Sequence, residues 1–261
     1  MNQRSADLFT AENGEPRMVR GVALHSGSTR LAEMAALMGF ETIWIEMEHG
    51  PADFSLAELL CQAVEAGGGV GTIRVPDGDR CHVLRALEVG ARIVVVPMVN
   101  DAAQARQIVA FGKFPPLGER GYSTRSRGVM YGLKPARAAF AEANERTYLF
   151  AQIETVEAVT NLESICSVEG LAGILVGPGD LSVSMGCAGE FADQGLIKVV
   201  TECIRKARSQ GKHAGILVAP GPLLDASIAA GCDLCFCGGD VADLREPWQR
   251  LLDRFSLREG A

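Results

Sequence analysis

The sequence predicts a single (β/α)8 barrel, also called a TIM barrel, over residues 1–261. The first observation is the length, because 261 residues is typical of one such barrel. The second is a set of eight short apolar runs, and the third is the amphipathic pattern that separates each run from the next. Continuous apolar runs are typical of parallel strands covered by helices on both faces. Eight of these units favour a closed barrel over an open doubly wound sheet.

The predicted strands follow the apolar runs in order. They are MVRGVAL (18–24), TIWIEM (42–47), VGTIRVP (70–76), RIVVVPMV (92–99), TYLFAQIE (147–154), GILVGP (173–178), HAGILVA (213–219) and DLCFCG (233–238). The intervening segments place apolar residues at helical spacing, as in STRLAEMAALMG, SLAELLCQAVEAGG and GLIKVVTECIRKARSQG. The segment GVALHSGSTR has neither G-x-G-x-x-G nor a Gly-Lys-Ser/Thr ending, so a nucleotide-binding fold is disfavoured.

Two segments are expected to lie outside this regular alternation. The N-terminus is expected to be flexible over about residues 1–16. The stretch 115–135, PPLGERGYSTRSRGVMYGLKP, is rich in Gly, Pro and Arg and is predicted to be a long loop. Long loops in compact domains are often functional. Because this one comes after strand four, we expect it on the active face of the barrel.

Composition and charge narrow the classes of partner. Apolar residues make up 48% of the chain and charged residues 22%, which is ordinary for a globular protein with a sizeable core. The net charge of -7 argues against nucleic acid or an anionic membrane as a partner and favours a small molecule or a protein. The chain has no run long enough for a membrane helix and no signal-peptide h-region, so we expect a cytoplasmic location.

The eight cysteines are predicted to be reduced thiols. The tightest cluster is Cys232, Cys235 and Cys237 in AAGCDLCFCGG. No second pair of Cys or His faces this cluster in the sequence, so core thiols are favoured over a metal site.

Five polar residues follow predicted strands, at the edge where a barrel places its catalytic side chains. They are His49 after strand two, Arg74 in strand three, Gln152 and Glu154 at the end of strand five, and Asp180 after strand six. Each also has a structural interpretation, since Glu154 and Asp180 could cap helices or turns and Arg74 could pair with a surface carboxylate. Their occurrence on one rim favours a functional site.

Metal-assisted chemistry suits this set of side chains. Two carboxylates and a nearby amide form an all-oxygen site of the kind that holds Mg²⁺ or Mn²⁺. A 2-oxo acid would chelate that metal through its carboxylate and keto oxygens, and the backbone N–H groups of the GPGD turn could receive a carboxylate. Arg74 could stabilise an enolate oxygen, and His49 could move the proton.

Four stretches of the chain carry a family resemblance: GFETIWIEMEHGPADFSLAELL, IRVP, ALEVGARIVVVPMVNDAAQARQIVAFGKFPPLGERG and AQIETVEAVTNLESICSVEGLAGILVGPGDLSVSMG. Together they resemble the HpcH/HpaI aldolase family, in chain order from about residue 20 to 240. The resemblance implies a class II pyruvate aldolase that uses a divalent metal ion (Mg²⁺, Mn²⁺ or Co²⁺) and reversibly cleaves a 4-hydroxy-2-oxo acid to pyruvate and an aldehyde. It also implies a homohexamer, a trimer of dimers, in which a C-terminal helix over residues 240–255 packs on a neighbouring subunit.

The resemblance assigns roles one residue at a time. Glu154 and Asp180 match the metal ligands, and Gln152 would lie beside the substrate and the metal's waters. Arg74 matches the arginine that contacts the pyruvate keto oxygen, and the backbone of Gly179 and Asp180 matches the segment that receives the pyruvate carboxylate.

The stretch WIEMEHGP supplies the remaining matched groups. His49 matches the histidine that transfers the proton, and Glu48 matches an acid that organises the metal's waters. Glu46 stands where the family usually has an aspartate that orients this histidine, so Glu46 is a third catalytic candidate. Arg120 lies on the loop that often lines the acceptor side, and Ala23 stands where many relatives have a tryptophan.

Two other functions stay open at this stage. One is a citrate-lyase-like enzyme acting on an acyl-CoA thioester, although the acidic charge balance disfavours a CoA-binding patch. The other is a barrel that binds a metal and a 2-oxo acid but has lost its chemistry, and Glu46 in place of the usual aspartate is the feature that keeps it open.

Overall fold

The computed structural model describes residues 7–256. Its strands are β1 (Val19–Leu24), β2 (Thr42–Glu46), β3 (Val70–Arg74), β4 (Ile93–Val96), β5 (Tyr148–Ile153), β6 (Gly173–Val176), β7 (His213–Leu217) and β8 (Leu234–Gly239). Its helices are α1 (Thr29–Leu37), α2 (Phe54–Ala66), α3 (Arg80–Glu88), α4 (Ala102–Gly112), α5 (Ala136–Arg146), α6 (Val156–Thr160), α7 (Leu162–Cys166), α8 (Pro178–Ser184), α9 (Gln194–Ser209), α10 (Pro222–Ala229) and α11 (Asp240–Ser256). A 3-10 helix, Arg127–Gly132, lies between α4 and α5.

The eight strands form a closed barrel in sequence order, and β8 pairs with β1 to complete it. Every pair of neighbouring strands is parallel. The predicted (β/α)8 fold is therefore confirmed, and every strand lies inside the apolar run that predicted it except β8, which extends one residue further to Gly239. In such a barrel the carboxyl ends of all strands meet at one face, so polar residues that follow different strands converge there.

Short polar side chains fix where several helices begin. Five such side chains each accept a hydrogen bond from a backbone N–H in the first turn of the following helix. They belong to Ser28, Asp53, Asp101, Thr155 and Asp193. These bonds satisfy N–H groups that have no partner within the helix. Local sequence thus sets the points at which the chain turns from a strand into a helix.

Two apolar layers stabilise the barrel. One lies between the strands and the surrounding helices, and the other fills the barrel interior with side chains such as Trp44, Ile93, Phe150 and Phe236. The interior is filled because the strand side chains alternate between the two layers. Gly21 on β1 makes room for one of these rings, since a Cβ atom there would lie 2.4 Å from the ring of Phe236.

Part of the expected flexible N-terminus is packed against the barrel, which corrects the prediction for residues 7–16. Leu8 and Phe9 are buried, and the Phe9 ring stacks on His213 with ring centres 3.6 Å apart. The backbone N–H of Leu8 donates to the Tyr148 hydroxyl at 3.0 Å. Because His213 and Tyr148 begin β7 and β5, this segment covers the amino-terminal end of the barrel. Residues 1–6 lie outside the described part of the chain.

The predicted position of the loop 115–135 is wrong, because α4 intervenes between strand four and the loop. Helix α4 carries the chain back to the amino-terminal end of the barrel, opposite the active face. Contacts place the segment there: Lys113 Nζ donates to the carbonyl of Thr147, just before β5, at 2.6 Å. Arg127 pairs with Glu65 at the end of α2, close to the start of β3.

Helix α11 begins directly after β8 and extends to the end of the described residues. The Asp240 carboxylate accepts bonds from the backbone N–H groups of His25 and Ser26 at 2.9 and 3.0 Å, which fixes the first turn to the end of β1. Beyond that turn, the apolar side chains Val241, Leu244, Trp248, Leu251 and Phe255 are between 39% and 67% exposed. Within residues 7–256, no helix is long and apolar enough to cross a membrane.

Candidate active site

A cleft of about 300 Å³ opens at the carboxyl ends of the strands. Its lining residues come from five strands and the segments that follow them. They are Trp44, His49, Arg74, Gln152, Leu175, Gly177, Pro178, Gly179, Asp180, Phe191, Leu217, Val218 and Ala219. The structure therefore brings His49, Arg74, Gln152, Gly179 and Asp180, all predicted from sequence, to one cavity.

Arg74 is held by two carboxylates at the rim of the barrel. Its Nε and Nη2 donate to Glu46 Oε2 at 2.9 and 2.5 Å, and its Nη1 lies 3.0 Å from Glu48 Oε2. Glu46 is 1% exposed and Arg74 is 9% exposed, so the pair is shielded from water. The backbone register that places Glu46 beside Arg74 across β2 and β3 brings the two groups together.

Burial alone would raise the pKa of the Glu46 carboxyl, but its partners reverse this effect. The hydrogen bonds and positive charge of Arg74, the Trp44 N–H at 2.9 Å and the backbone N–H of His49 hold this pKa below its usual range. Glu46 is therefore ionised at neutral pH, and it fixes the direction in which Arg74 presents its guanidinium.

The expected contact between Glu46 and the His49 imidazole is not present, which corrects the predicted way in which this carboxylate acts. Glu46 Oε1 accepts from the backbone N–H groups of Glu48 and His49 at 2.8 and 3.1 Å, and so shapes the turn after β2. The imidazole itself is largely exposed, with its Nε2 3.9 Å from Glu48 Oε2. The reason is geometric, because the register of β2 and β3 places Glu46 beside Arg74 and its carboxylate binds the guanidinium instead.

Glu154 lies beside Gln152 at the end of β5 and is 1% exposed. It accepts a bond from the Gln152 side-chain amide and one from the Met98 backbone N–H at 2.6 Å. Burial raises the pKa of the Glu154 carboxyl, those two bonds lower it, and the negative charge of Asp180 adds to the rise. Gly177 is needed here for close approach, because a Cβ atom would lie 2.7 Å from Glu154 Oε2.

Asp180 and Gly179 stand in the first turn of α8, exposed to the cleft. Glu48 completes the acidic surroundings: burial raises the pKa of its carboxyl, Arg74 lowers it, and the charge of Glu154 raises it further. Negative charge is thus concentrated around Glu154, where a cation would relieve the repulsion.

The donor set fits a divalent metal ion. Glu154 and Asp180 offer carboxylate oxygens, and Gln152 Oε1 is buried without a hydrogen-bond partner. Within residues 7–256, no three His, Cys, Asp or Glu side chains converge in a way that would hold a metal by themselves. Two carboxylates from the protein are nevertheless enough to bind Mg²⁺ or Mn²⁺, because these ions commonly keep several waters or substrate oxygens as their other ligands.

Arg120 does not reach the cleft, so its predicted position on the acceptor side is wrong for this chain. It is 4% exposed, and its guanidinium carbon lies 4.6 Å from the centre of the Phe114 ring. Burial lowers the pKa of Arg120 to about 10, and the charge of Glu88 acts against that shift. Like the rest of its loop, Arg120 follows α4 to the opposite end of the barrel.

Sequence reasoning missed two groups of residues in the cleft. Trp44 supports the polar side, since its N–H binds Glu46 and its ring lies 5.3 Å from the guanidinium carbon of Arg74. Phe191, Leu217 and Val218 form an apolar side. A tryptophan two residues before Glu46 was the available signal for the first group. Phe191 gave none, because it lies between α8 and α9, outside any periodic pattern.

The backbone of Met98 is a further missed contributor. This residue has a φ of 55°, in the left-handed region that residues other than glycine and asparagine seldom adopt. The conformation accompanies the short bond from its N–H to Glu154. Unusual backbone angles cluster at functional sites, and here the angle belongs to a residue that binds a candidate ligand.

Comparison with known proteins agrees with this geometry. Residues 21–246 match the HpcH/HpaI aldolase/citrate lyase family. A 2-keto-3-deoxy-L-rhamnonate aldolase from Klebsiella pneumoniae is 32% identical over 237 residues, which cover 90% of this chain and 88% of that protein. The crystal structure of an HpcH/HpaI aldolase from Desulfitobacterium hafniense aligns with a TM-score of 0.86 at 27% identity, covering 92% of this chain and 93% of that one.

A third relative has a different activity in its name. The crystal structure of the citrate synthase SbnG aligns with a TM-score of 0.83 at 25% identity and covers 94% of this chain and 96% of that one. The family match begins within β1 and includes every strand that contributes to the cleft. The chain therefore belongs to the HpcH/HpaI aldolase/citrate lyase family.

Proposed function

We propose that this protein is a divalent-metal-dependent aldolase that reversibly cleaves a 4-hydroxy-2-oxo acid to pyruvate and an aldehyde. The observation that carries the proposal is the convergence of Asp180, Gln152 and Arg74 in one cleft, with the buried Glu154 carboxylate hydrogen-bonded to Gln152 beside it. The names of the relatives support the aldolase class, since several are 2-keto-3-deoxy-L-rhamnonate aldolases. The rhamnonate skeleton itself is not part of the proposal.

Glu154 and Asp180 would hold the metal ion, with Gln152 Oε1 directed at its waters or at the substrate. A bound Mg²⁺, Mn²⁺ or Co²⁺ would act as a Lewis acid that draws electron density from the keto group of the 2-oxo acid. The backbone N–H groups of Gly179 and Asp180 stand at the start of α8, where they can receive the pyruvate carboxylate.

Arg74 would stabilise the negative charge that develops on the enolate oxygen. Its guanidinium is held by Glu46 and Glu48 and lines the cleft, so little reorganisation is needed when the charge appears. His49 would move the proton at the substrate, since its imidazole lines the same cleft and is exposed. The Glu48 carboxylate lies 3.0 Å from Arg74 and 3.9 Å from His49, and its negative charge would act on both groups.

Pyruvate enolisation tests the proposal without knowledge of the aldehyde. Loss of the pyruvate methyl signal in deuterated buffer, followed by NMR, measures proton exchange at C3. A chelator should abolish exchange, and Mg²⁺, Mn²⁺ or Co²⁺ should restore it. Covalent trapping of pyruvate on the protein by borohydride would contradict the proposal, because it would show a Schiff base in place of a metal.

A thermal shift tests the metal site by a readout other than activity. The raised pKa of Glu154 means that its ionisation destabilises the metal-free fold, and stability is lost as the pH rises through that pKa. At neutral pH, Mn²⁺ should therefore raise the Tm by on the order of a few degrees. Glu154→Gln should raise the metal-free Tm and remove the response to Mn²⁺.

The exposed Glu157 on α6 provides the control for that experiment. Glu157→Gln should keep both the wild-type Tm and the wild-type response to Mn²⁺. An unchanged response in Glu154→Gln would show that the metal binds elsewhere.

The assembly that we propose is a homohexamer built through α11. The apolar side of this helix is exposed in the single chain, and α1 carries a second exposed apolar surface formed by Met34, Leu37 and Met38. Apolar patches of this kind mark contacts between proteins. We also propose a cytoplasmic location, because all eight cysteines are free thiols, which suits a reducing compartment.

A further inference from the structure

The two sides of the cleft differ in chemistry. We call the polar lining residues His49, Arg74, Gln152 and Asp180, which stand at or after the ends of β2, β3, β5 and β6, the polar side. The other side is formed by the end of β7 and by the segment between α8 and α9, and all its side chains are apolar. We call this surface the β7 wall, and it consists of Phe191, Leu217, Val218 and Ala219.

Phe191 is 39% exposed, whereas Val218 is 8% exposed. The β7 wall therefore combines buried and partly exposed apolar side chains. It places apolar surface beside any group that extends outward from the polar side. A substituent that packs against Phe191 and Leu217 would lose its contacts with water, which favours an apolar substituent.

Positive charge is confined to the polar side. Arg74 is the only lysine or arginine among the described residues that line the cleft. Its guanidinium contacts Glu46 and Glu48 and, in the proposed function, faces the enolate oxygen of pyruvate, so it is not available to a second anion on the β7 wall. A carboxylate on the β7 wall would be desolvated without a partner, which is strongly unfavourable.

We infer that the acceptor is an aldehyde with an uncharged, apolar substituent, and that Phe191 selects it. The inference rests on the proposed function, in which pyruvate occupies the polar side through Arg74 and the N–H groups of Gly179 and Asp180. The aldehyde carbon must lie next to C3 of pyruvate, so its substituent is directed across the cleft to the β7 wall.

The step balances with these two reactants alone. Pyruvate loses a proton from its methyl group, and C3 forms a bond to the aldehyde carbon. The carbonyl π bond of the aldehyde breaks, and its oxygen gains a proton to become the 4-hydroxyl group. No oxidant or reductant is needed, and cleavage is the reverse of the same step.

Three four-carbon aldehydes test the substrate class at equal chain length. Butanal has an apolar substituent, succinate semialdehyde ends in a carboxylate, and erythrose carries hydroxyl groups. With pyruvate and Mn²⁺, the wild-type protein should show kcat/KM for butanal on the order of tenfold or more above the other two. A preference for succinate semialdehyde or erythrose would overturn the inference.

A charge placed on the β7 wall tests the role of Phe191. Phe191→Arg should lower the ratio of kcat/KM for butanal to that for succinate semialdehyde by on the order of tenfold or more. Leu133→Arg adds the same charge at a leucine that is 80% exposed near the opposite end of the barrel, and it should keep the wild-type ratio. An unchanged ratio in Phe191→Arg would show that Phe191 does not select the acceptor.

Failure of this inference is distinguishable from failure of the proposed function. Pyruvate proton exchange without aldehyde depends on the polar side alone, so exchange combined with a preference for a charged aldehyde would overturn only the β7 wall as the acceptor site. Absence of metal-dependent exchange in the wild-type protein would contradict the proposed function, and this inference would fall with it.

Discussion

At the scale of single residues, the cleft is organised around Arg74. The guanidinium is bound by Glu46 through two nitrogens, approached by Glu48 and placed over the face of Trp44. Each contact uses the planar fork of donors or the flat cation of an arginine, neither of which lysine offers. The position therefore requires arginine for its geometry as well as for its charge.

Arg74→Lys should be nearly inactive although the charge is retained. Loss of a donor to a developing oxyanion commonly costs on the order of a hundredfold or more in rate. The measurement is pyruvate proton exchange at matched folded fractions, with Arg80→Lys on the exposed start of α3 as the control. More than half of the wild-type rate in Arg74→Lys would show that Arg74 is not the enolate stabiliser.

Glu46→Gln should lower both the rate and the free energy of unfolding at neutral pH. A buried cation left without its partner carboxylate typically costs on the order of 3 kcal/mol or more. Glu46→Asp retains the charge and should keep more of the activity than Glu46→Gln does. Equal rates for wild type and both variants would remove Glu46 from the mechanism.

The pH dependence of that stability difference follows from the lowered pKa of Glu46. A carboxyl whose pKa is lower in the folded state contributes stability above its unfolded pKa, and this contribution is lost as the pH falls through the folded value. The difference in unfolding free energy between wild type and Glu46→Gln should therefore shrink in acid. Chemical denaturation over a pH series measures it, and a difference that stays constant in acid would contradict the assigned ion pair.

At the scale of elements, the segment of residues 7–16 closes the end of the barrel opposite the cleft. The Phe9 ring packs against the Tyr148 ring, with ring centres 5.2 Å apart, and also against the His213 ring. Asp7 accepts a bond from the Tyr148 hydroxyl at 2.9 Å. The segment thus supplies the last apolar layer of the interior, which the eight strands leave open.

Phe9→Ala should lower the free energy of unfolding by about 3 kcal/mol, the usual loss for truncating a buried phenylalanine. Phe9 is 3% exposed and lies at the far end from the cleft, so pyruvate exchange by the folded variant should be unchanged. Urea denaturation measures the loss, and Leu133→Ala at an exposed position is the control. A loss below about 1 kcal/mol would show that the segment is not part of the core.

At the scale of the whole molecule, the single chain leaves one helix largely uncovered. The apolar residues of α11 recur at helical spacing, and a helix with such a side is expected to bury it. Its first turn is fixed to β1 and β8 through Asp240, so the helix has a defined direction from which to meet a second copy.

The charge-introducing variants Trp248→Asp and Leu251→Asp should dissociate the proposed hexamer. Both side chains are at least half exposed in the single chain, so the barrel itself should remain folded. Light scattering coupled to size-exclusion chromatography measures the mass, and Arg250→Asp, which changes charge at an exposed polar position, is the control. A wild-type protein that is monomeric at micromolar concentration would contradict the proposed assembly.

Local sequence patterns were enough to predict the barrel and most of the polar groups at its carboxyl rim. Both are local properties: the period of apolar residues defines each strand, and a residue that directly follows a strand lies at the rim. His49, Arg74, Gln152, Glu154 and Asp180 were found in this way; four of them line the cleft, and Glu154 is hydrogen-bonded to Gln152 beside it. Family motifs added their expected roles.

Packing in three dimensions sets which groups meet across strands and which end of the barrel a loop occupies. Register between β2 and β3 pairs Glu46 with Arg74, and the bonds to the guanidinium turn the Glu46 carboxylate away from the imidazole. The intervening helix α4 places Arg120 away from the cleft. Phe191 reaches the cleft from an irregular segment, because contacts between residues far apart in the chain depend on packing that no local pattern encodes.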